Sequence, residues 1–63
     1  MITKITRAYI RQYSDNGQVT AYVEWLCQKG KSGRTEGSPQ SLHMTALLSR
    51  ATREGLVIEH EIW

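Results

Sequence analysis

From Val19 to Cys27 apolar and polar positions alternate: Val19, Ala21, Val23, Trp25 and Cys27 fall on one side of an extended chain, and Thr20, Tyr22, Glu24 and Leu26 on the other. A period of two is that of a half-buried β-strand. Upstream, Ala8 and Ile10 alternate with Arg7, Tyr9 and Arg11, and Ser14-Asp15-Asn16-Gly17 separates the two runs. Asn-Gly is a strong hairpin signal, because both central residues of a type I′ turn need positive φ. The stretch from Tyr9 to Trp25 is therefore predicted to be an antiparallel hairpin.

Charge then selects between two registers. A two-residue Asn16-Gly17 turn sets Gln12, Ile10, Ala8 and Thr6 across from the inner side of the second strand, whereas a three-residue loop with Gly17 as a bulge turns Arg7 and Arg11 inward. Burying two unpaired guanidiniums costs several kcal/mol, so the two-residue turn is expected. Tyr9 should then lie opposite Glu24, and Arg11 opposite Tyr22. The outer face gathers Arg7, Tyr9, Arg11, Tyr13, Thr20, Tyr22 and Glu24.

Gln28 to Gly33, with two glycines and no large apolar residue, reads as a second hairpin bend. Arg34-Thr35-Glu36-Gly37 follows as a short third strand whose charges suit a sheet edge. Ser38 and Pro39 predict a helix start, with Ser38 as N-cap and Pro39 at the first helical position. Met44, Leu47, Leu48 and Ala51 repeat at helical spacing to about Glu54, and Gly55 supplies the left-handed stop. In the last run Leu56, Ile58, His60 and Ile62 share one face, and Val57, Glu59, Glu61 and Trp63 the other.

A helix between strands three and four requires a crossover, which lays strand four parallel to strand three or to strand one. Strand one, with Ala8 and Ile10, needs a buried neighbour more than polar strand three does. The expected sheet order is 4-1-2-3, although exchange of strand four with a second subunit meets the same need. The fold class is α+β: a small antiparallel three-stranded sheet plus one helix and a C-terminal strand, β1-β2-β3-α-β4, the helix packed on one sheet face.

Composition refines this without changing it. The 63 residues are expected to form one domain, since so short a chain cannot divide its core, and the 40% apolar and 22% charged content is that of a globular protein. So small a core favours association with a twin. Cys27 is the single cysteine and is expected to fill a core slot in a reducing, cytoplasmic setting. No apolar run has signal-peptide or membrane-span length, so no membrane partner is expected.

The net charge of +2 is too small to argue nucleic-acid binding by itself. Its distribution says more. Arg7, Tyr9, Arg11, Tyr13 and Tyr22, followed by Lys29, Lys31 and Arg34, mix cations and aromatics as nucleic-acid surfaces do. The plainer interpretation is a solvated sheet face on which Arg7 and Arg11 flank Glu24. Three antiparallel strands, a basic bend and a helix also resemble, in organisation, the small three-stranded DNA-binding domains of phage integrases and of one class of plant transcription factors. That resemblance implies a sheet laid in the major groove, and the acidic Glu59 and Glu61 depart from it.

Lys29-Gly30-Lys31-Ser32-Gly33 lacks the strand-to-helix setting of a phosphate-binding loop and reads as a bend. Cys27, His43 and His60 lack any paired ligand or nucleophile–base spacing, so no catalytic, metal or cofactor site is expected. Trp63, with Val57 and the outward tyrosines, is expected either to mark an apolar contact surface, since aromatics are enriched where proteins meet, or to cap the sheet edge of its own subunit. The functional expectation is a non-enzymatic protein-interaction module, homodimeric in its simplest form, with no small-molecule substrate. The alternative is a sheet-based nucleic-acid binder using the outer face of the first hairpin.

Overall fold

The structure, a computed structural model, describes residues 1–62. Trp63, a member of the expected contact surface, lies outside the described residues. Five elements follow in order: β1 (Ile2–Gln12), β2 (Val19–Cys27), β3 (Ser32–Gly37), α1 (Leu42–Arg53) and β4 (Glu59–Ile62). All four strands join one sheet of order β3-β2-β1-β4, the order expected from the crossover argument. The sheet is mixed. β1 pairs antiparallel with β2 and parallel with β4, and β2 pairs antiparallel with β3.

The first turn differs from expectation. Tyr13 N donates to the Gln18 carbonyl at 2.9 Å, so the loop is the full Ser14-Asp15-Asn16-Gly17 and not Asn16-Gly17 alone. Gly17 takes positive φ (67°), but among the described residues no non-glycine residue does, which excludes a type I′ turn. Asn16 instead uses its side chain, accepting the Gln18 N–H at 2.9 Å. Pairing therefore slides by two residues: Tyr9 faces Tyr22, not Glu24, and Arg11 faces Thr20, not Tyr22. A slip of two preserves which side each residue faces, so Ala8 and Ile10 still lie over Val23 and Ala21.

A β-bulge decides the inner face nearer the N-terminus. Ile5 pairs with Trp25 and Arg7 with Glu24, leaving Thr6 as the extra residue. Without the bulge Thr6 would point inward, as the alternation predicts. With it, Ile5 is fully buried and Thr6 is exposed. A second irregularity between Ile2 and Lys4 brings Ile2 against the same core.

The core is the layer between sheet and helix: Ile5, Ala8, Ala21, Val23, Met44, Leu47, Leu48 and Ala51, flanked by Ile2, Ile10, Leu56 and Ile58. The helix stripe is the one the spacing predicts. Its start is one turn later than Ser38, because Ser38 and Pro39 form a separate turn closed by Ser41 N on the Ser38 carbonyl at 3.1 Å. Ser41 is the N-cap, its hydroxyl accepting the Met44 N–H at 3.2 Å. The stop is a Schellman motif: Gly55 (φ 83°) donates to Thr52 O and Leu56 to Ala51 O, at 3.1 and 3.0 Å.

The β2–β3 bend is tighter than a six-residue loop. Cys27 N donates to Lys31 O, and Gly30 N to Cys27 O, with Gly30 at φ 81°. Gly33 consequently belongs to β3, where the Trp25 ring lies across it. Cys27 is half-buried, not a core residue. No helix among the described residues is long and apolar enough to cross a membrane.

Candidate functional site

Strand parity and the sheet order together fix the face turned away from α1. The pairs Arg7–Glu24, Tyr9–Tyr22 and Arg11–Thr20 on the hairpin are extended by Glu24–Arg34 and Tyr22–Glu36 toward β3, and by Tyr9–Glu59 and Arg11–Glu61 toward β4. Arg7, Tyr9, Arg11, Tyr22 and Arg34, all expected on a binding surface, are thereby brought onto one face.

At its centre the Tyr9 and Tyr22 rings stack, with centroids 5.1 Å apart and planes 19° from parallel. Guanidiniums border the pair: Arg34 Cζ lies 4.1 Å from the Tyr22 centroid, and Arg7 Cζ 6.0 Å from that of Tyr9. Such cation–π contacts hold the arginines flat against the sheet.

Every one of these arginines stands beside a carboxylate. Arg7 Nη2 is 3.9 Å from Glu59 Oε2, Arg11 Nη2 is 3.9 Å from Glu61 Oε2, and Arg34 pairs with Glu36 two residues along β3. The Tyr9 hydroxyl donates to Glu61 Oε2. Desolvation between the strands, followed by this hydrogen bond to a carboxylate, pushes the Tyr9 phenol up to about 12. A hydrogen bond with Tyr13 is the main cause holding the Arg11 guanidinium more firmly protonated, so Tyr13 joins the face at its edge. Across the face Arg7, Arg11 and Arg34, with Lys4 opposite Leu26, meet Glu24, Glu36, Glu59 and Glu61, and the charges balance.

Lys29 and Lys31 are not part of it. They lie at the β2–β3 bend, where with Met1, Cys27 and Gln28 they line an open cleft of about 310 Å³. Cys27 and His60 are likewise separated: Cys27 pairs with Ile2, whereas His60 pairs with Ile10, itself opposite Ala21. At roughly 3.3 Å per residue the two positions are about 20 Å apart along the sheet. His43 is on the first turn of α1, and no cluster of three metal-ligating side chains occurs among the described residues.

Two features, one on this face and one at the helix end, were missed by reading elements one at a time. Glu59 and Glu61 could have been placed beside Arg7 and Arg11 by combining their parity with the 4-1-2-3 order. The other is a clamp at the helix end. Arg50 Nε donates to Glu54 Oε1, Arg50 Nη2 to Ile2 O, and Ile5 N to Glu54 Oε2, each at 3.0 Å. The Arg50/Glu54 spacing of four is its signal in the sequence.

No protein-family model, no curated protein and no solved structure matches the chain.

Proposed function

We propose that the protein is a small non-enzymatic interaction module that binds another polypeptide, its own copy included, through the sheet surface opposite the helix and the sheet's open edges. One observation carries this reading: the uncovered face sets each arginine beside a carboxylate around a stacked tyrosine pair. Aromatic rings bordered by balanced charges suit a protein partner, whereas a nucleic-acid backbone is drawn to cations that are not already neutralised. The short chain adds support, since its core is small and association buries more. A reducing cytoplasm is the compartment we assign, on the single thiol of Cys27.

A second reading, sheet-based nucleic-acid binding, is supported by the tyrosine stack with guanidiniums over its rings, the parts of a base-stacking platform. In this reading Lys29 and Lys31 supply phosphate contacts at the end of the sheet. The two are separated by sedimentation equilibrium up to millimolar concentration, a pull-down, and a low-salt titration with duplex and single-stranded oligonucleotides. Self-association or a specific protein partner supports the first reading. A strict monomer that recovers no partner removes it, and oligonucleotide binding that weakens steeply with salt replaces it with the second.

A further inference from the structure

Resting on the interaction-module reading, we infer that the partner includes a second copy of this chain, joined edge to edge through β3 about a two-fold axis at Thr35. The inference begins with the direction of backbone groups. The Cys27 N–H bond to Lys31 O at 2.6 Å makes Cys27–Lys31 a bonded pair. Alternation along an antiparallel ladder then makes Trp25–Gly33, Val23–Thr35 and Ala21–Gly37 the pairs that exchange both bonds. Ser32, Arg34 and Glu36 accordingly turn their N–H and C=O groups away from β2, at the outer edge of the sheet.

Side-chain charge selects one way to use that edge. Pairing β3 with its own copy antiparallel about Thr35 puts Arg34 opposite the partner's Glu36 and Glu36 opposite the partner's Arg34. Both are positions whose backbone groups point outward, so each of these pairs exchanges both bonds. Sliding the register either way sets Arg34 against Arg34 or Glu36 against Glu36, and like charges directly opposite are disfavoured. Edge charges ordinarily discourage pairing. Here one cation and one anion two residues apart permit a single self-complementary register and reject its neighbours.

The rest of the edge fits. Gly33 and Gly37, on the helix side of β3, bring no side chain to the junction, and each meets the other across the axis. The exposed Leu42 of each copy, which opens α1 after the turn of residues 38–41, then lies on the side of the sheet where the partner's Trp25 covers Gly33. The interface is isologous and closes after two copies.

Charge exchange and cross-linking test it. Arg34→Glu sets two carboxylates opposite each other, and Glu36→Arg two guanidiniums; each should weaken the dimer about tenfold or more. An equimolar mixture of the two variants should associate as tightly as the wild type, since every cross-strand pair is again opposite in charge. Circular dichroism checks that each variant folds. In a Cys27→Ser background, Thr35→Cys should form an intermolecular disulfide under mild oxidation, because the residues on the axis approach to about 4.5 Å between Cα atoms. A wild-type dimer whose affinity neither charge variant alters, and in which the Thr35→Cys variant does not cross-link, overturns this interface while leaving the module reading intact. A wild type that stays monomeric at millimolar concentration yet captures another protein overturns self-pairing alone, and one that stays monomeric and captures no partner overturns both.

Discussion

The Ile5 backbone N–H donates to Glu54 Oε2 at 3.0 Å, tying the bulge of β1 to the residue that caps α1. The Ile5 hydrogen bond is the main cause that holds the Glu54 carboxyl below the ordinary glutamate range, with Arg50 adding to it against desolvation. A carboxylate with a lowered folded pKa contributes stability that is present above its unfolded value of about 4.3 and disappears as pH falls through the folded value. Wild-type protein should therefore lose thermal stability more steeply than Glu54→Gln between about pH 5 and about pH 3. Melting curves followed by circular dichroism decide this, and parallel pH profiles for the two proteins would remove the clamp from the account.

The bulge itself makes a prediction opposite to plain alternation. Ile5→Ala should cost about 2–5 kcal/mol, because Ile5 is fully buried. Thr6→Ala should stay within about 0.5 kcal/mol of wild type, as exposed positions usually do. Urea denaturation of both variants checks it, and a larger loss at Thr6 would restore the unbulged strand.

Two glycines of β3 should respond in opposite directions. A Cβ at Gly33 would lie 2.6 Å from Trp25 Cζ2, so Gly33→Ala must displace the ring and should destabilise by about 1 kcal/mol or more. A Cβ at Gly37 would meet Met44 Cγ at an ordinary 3.5 Å, and Gly37→Ala should be neutral or stabilising by up to about 1 kcal/mol. In a Trp63→Phe background Trp25 is the one remaining tryptophan. Its fluorescence should shift red in Gly33→Ala and not in Gly37→Ala; an unmoved spectrum in both counts against the stacked position.

Ser41→Ala should cost about 1 kcal/mol through loss of the bond from Met44 N. Ser38→Ala loses only a 3.3 Å contact from Gln40 N in an exposed turn and should change stability by less than about 0.5 kcal/mol. If chemical denaturation ranks the two serines the other way, the helix begins where Ser38-Pro39 first suggests.

Elements set by local chemistry were legible in the sequence alone. The period of β2, the stripe Met44, Leu47, Leu48 and Ala51, and the Gly55 stop each depend on a few neighbouring residues. So was the crossover of β4 onto β1, because it followed from which strand lacked an apolar neighbour. What escaped depends on details that alternation does not encode. Asn16 satisfies the turn with its side chain instead of a left-handed backbone, which slides the register by two. Thr6 is extruded because Ile5 has more apolar area to bury than a threonine does.

The candidate face was half legible for the same reason. Arg7, Tyr9, Arg11 and Tyr22 follow from parity alone, and parity survived the slip. The neutralisation of Arg7, Arg11 and Arg34 by Glu59, Glu61 and Glu36 needs the neighbours across β4 and along β3. A positive-looking set of residues in sequence becomes a balanced surface in space.

Among the described residues β4 is the shortest strand, with a single neighbour, and its parallel pairing joins Tyr9 to Glu59 across most of the chain. Closing so long a loop carries an entropic cost that the local hairpin bends avoid, so β4 is the strand expected to form last in folding and to open first. When it opens, Glu59 and Glu61 leave with it, and Arg7, Arg11 and Arg34 then outnumber Glu24 and Glu36. The charge of the sheet is thus tied to the docking of its last strand: Lys4, Arg7, Arg11 and Arg34 balance Glu24, Glu36, Glu59 and Glu61 while β4 is in place, and a positive excess is exposed in the interval before it returns.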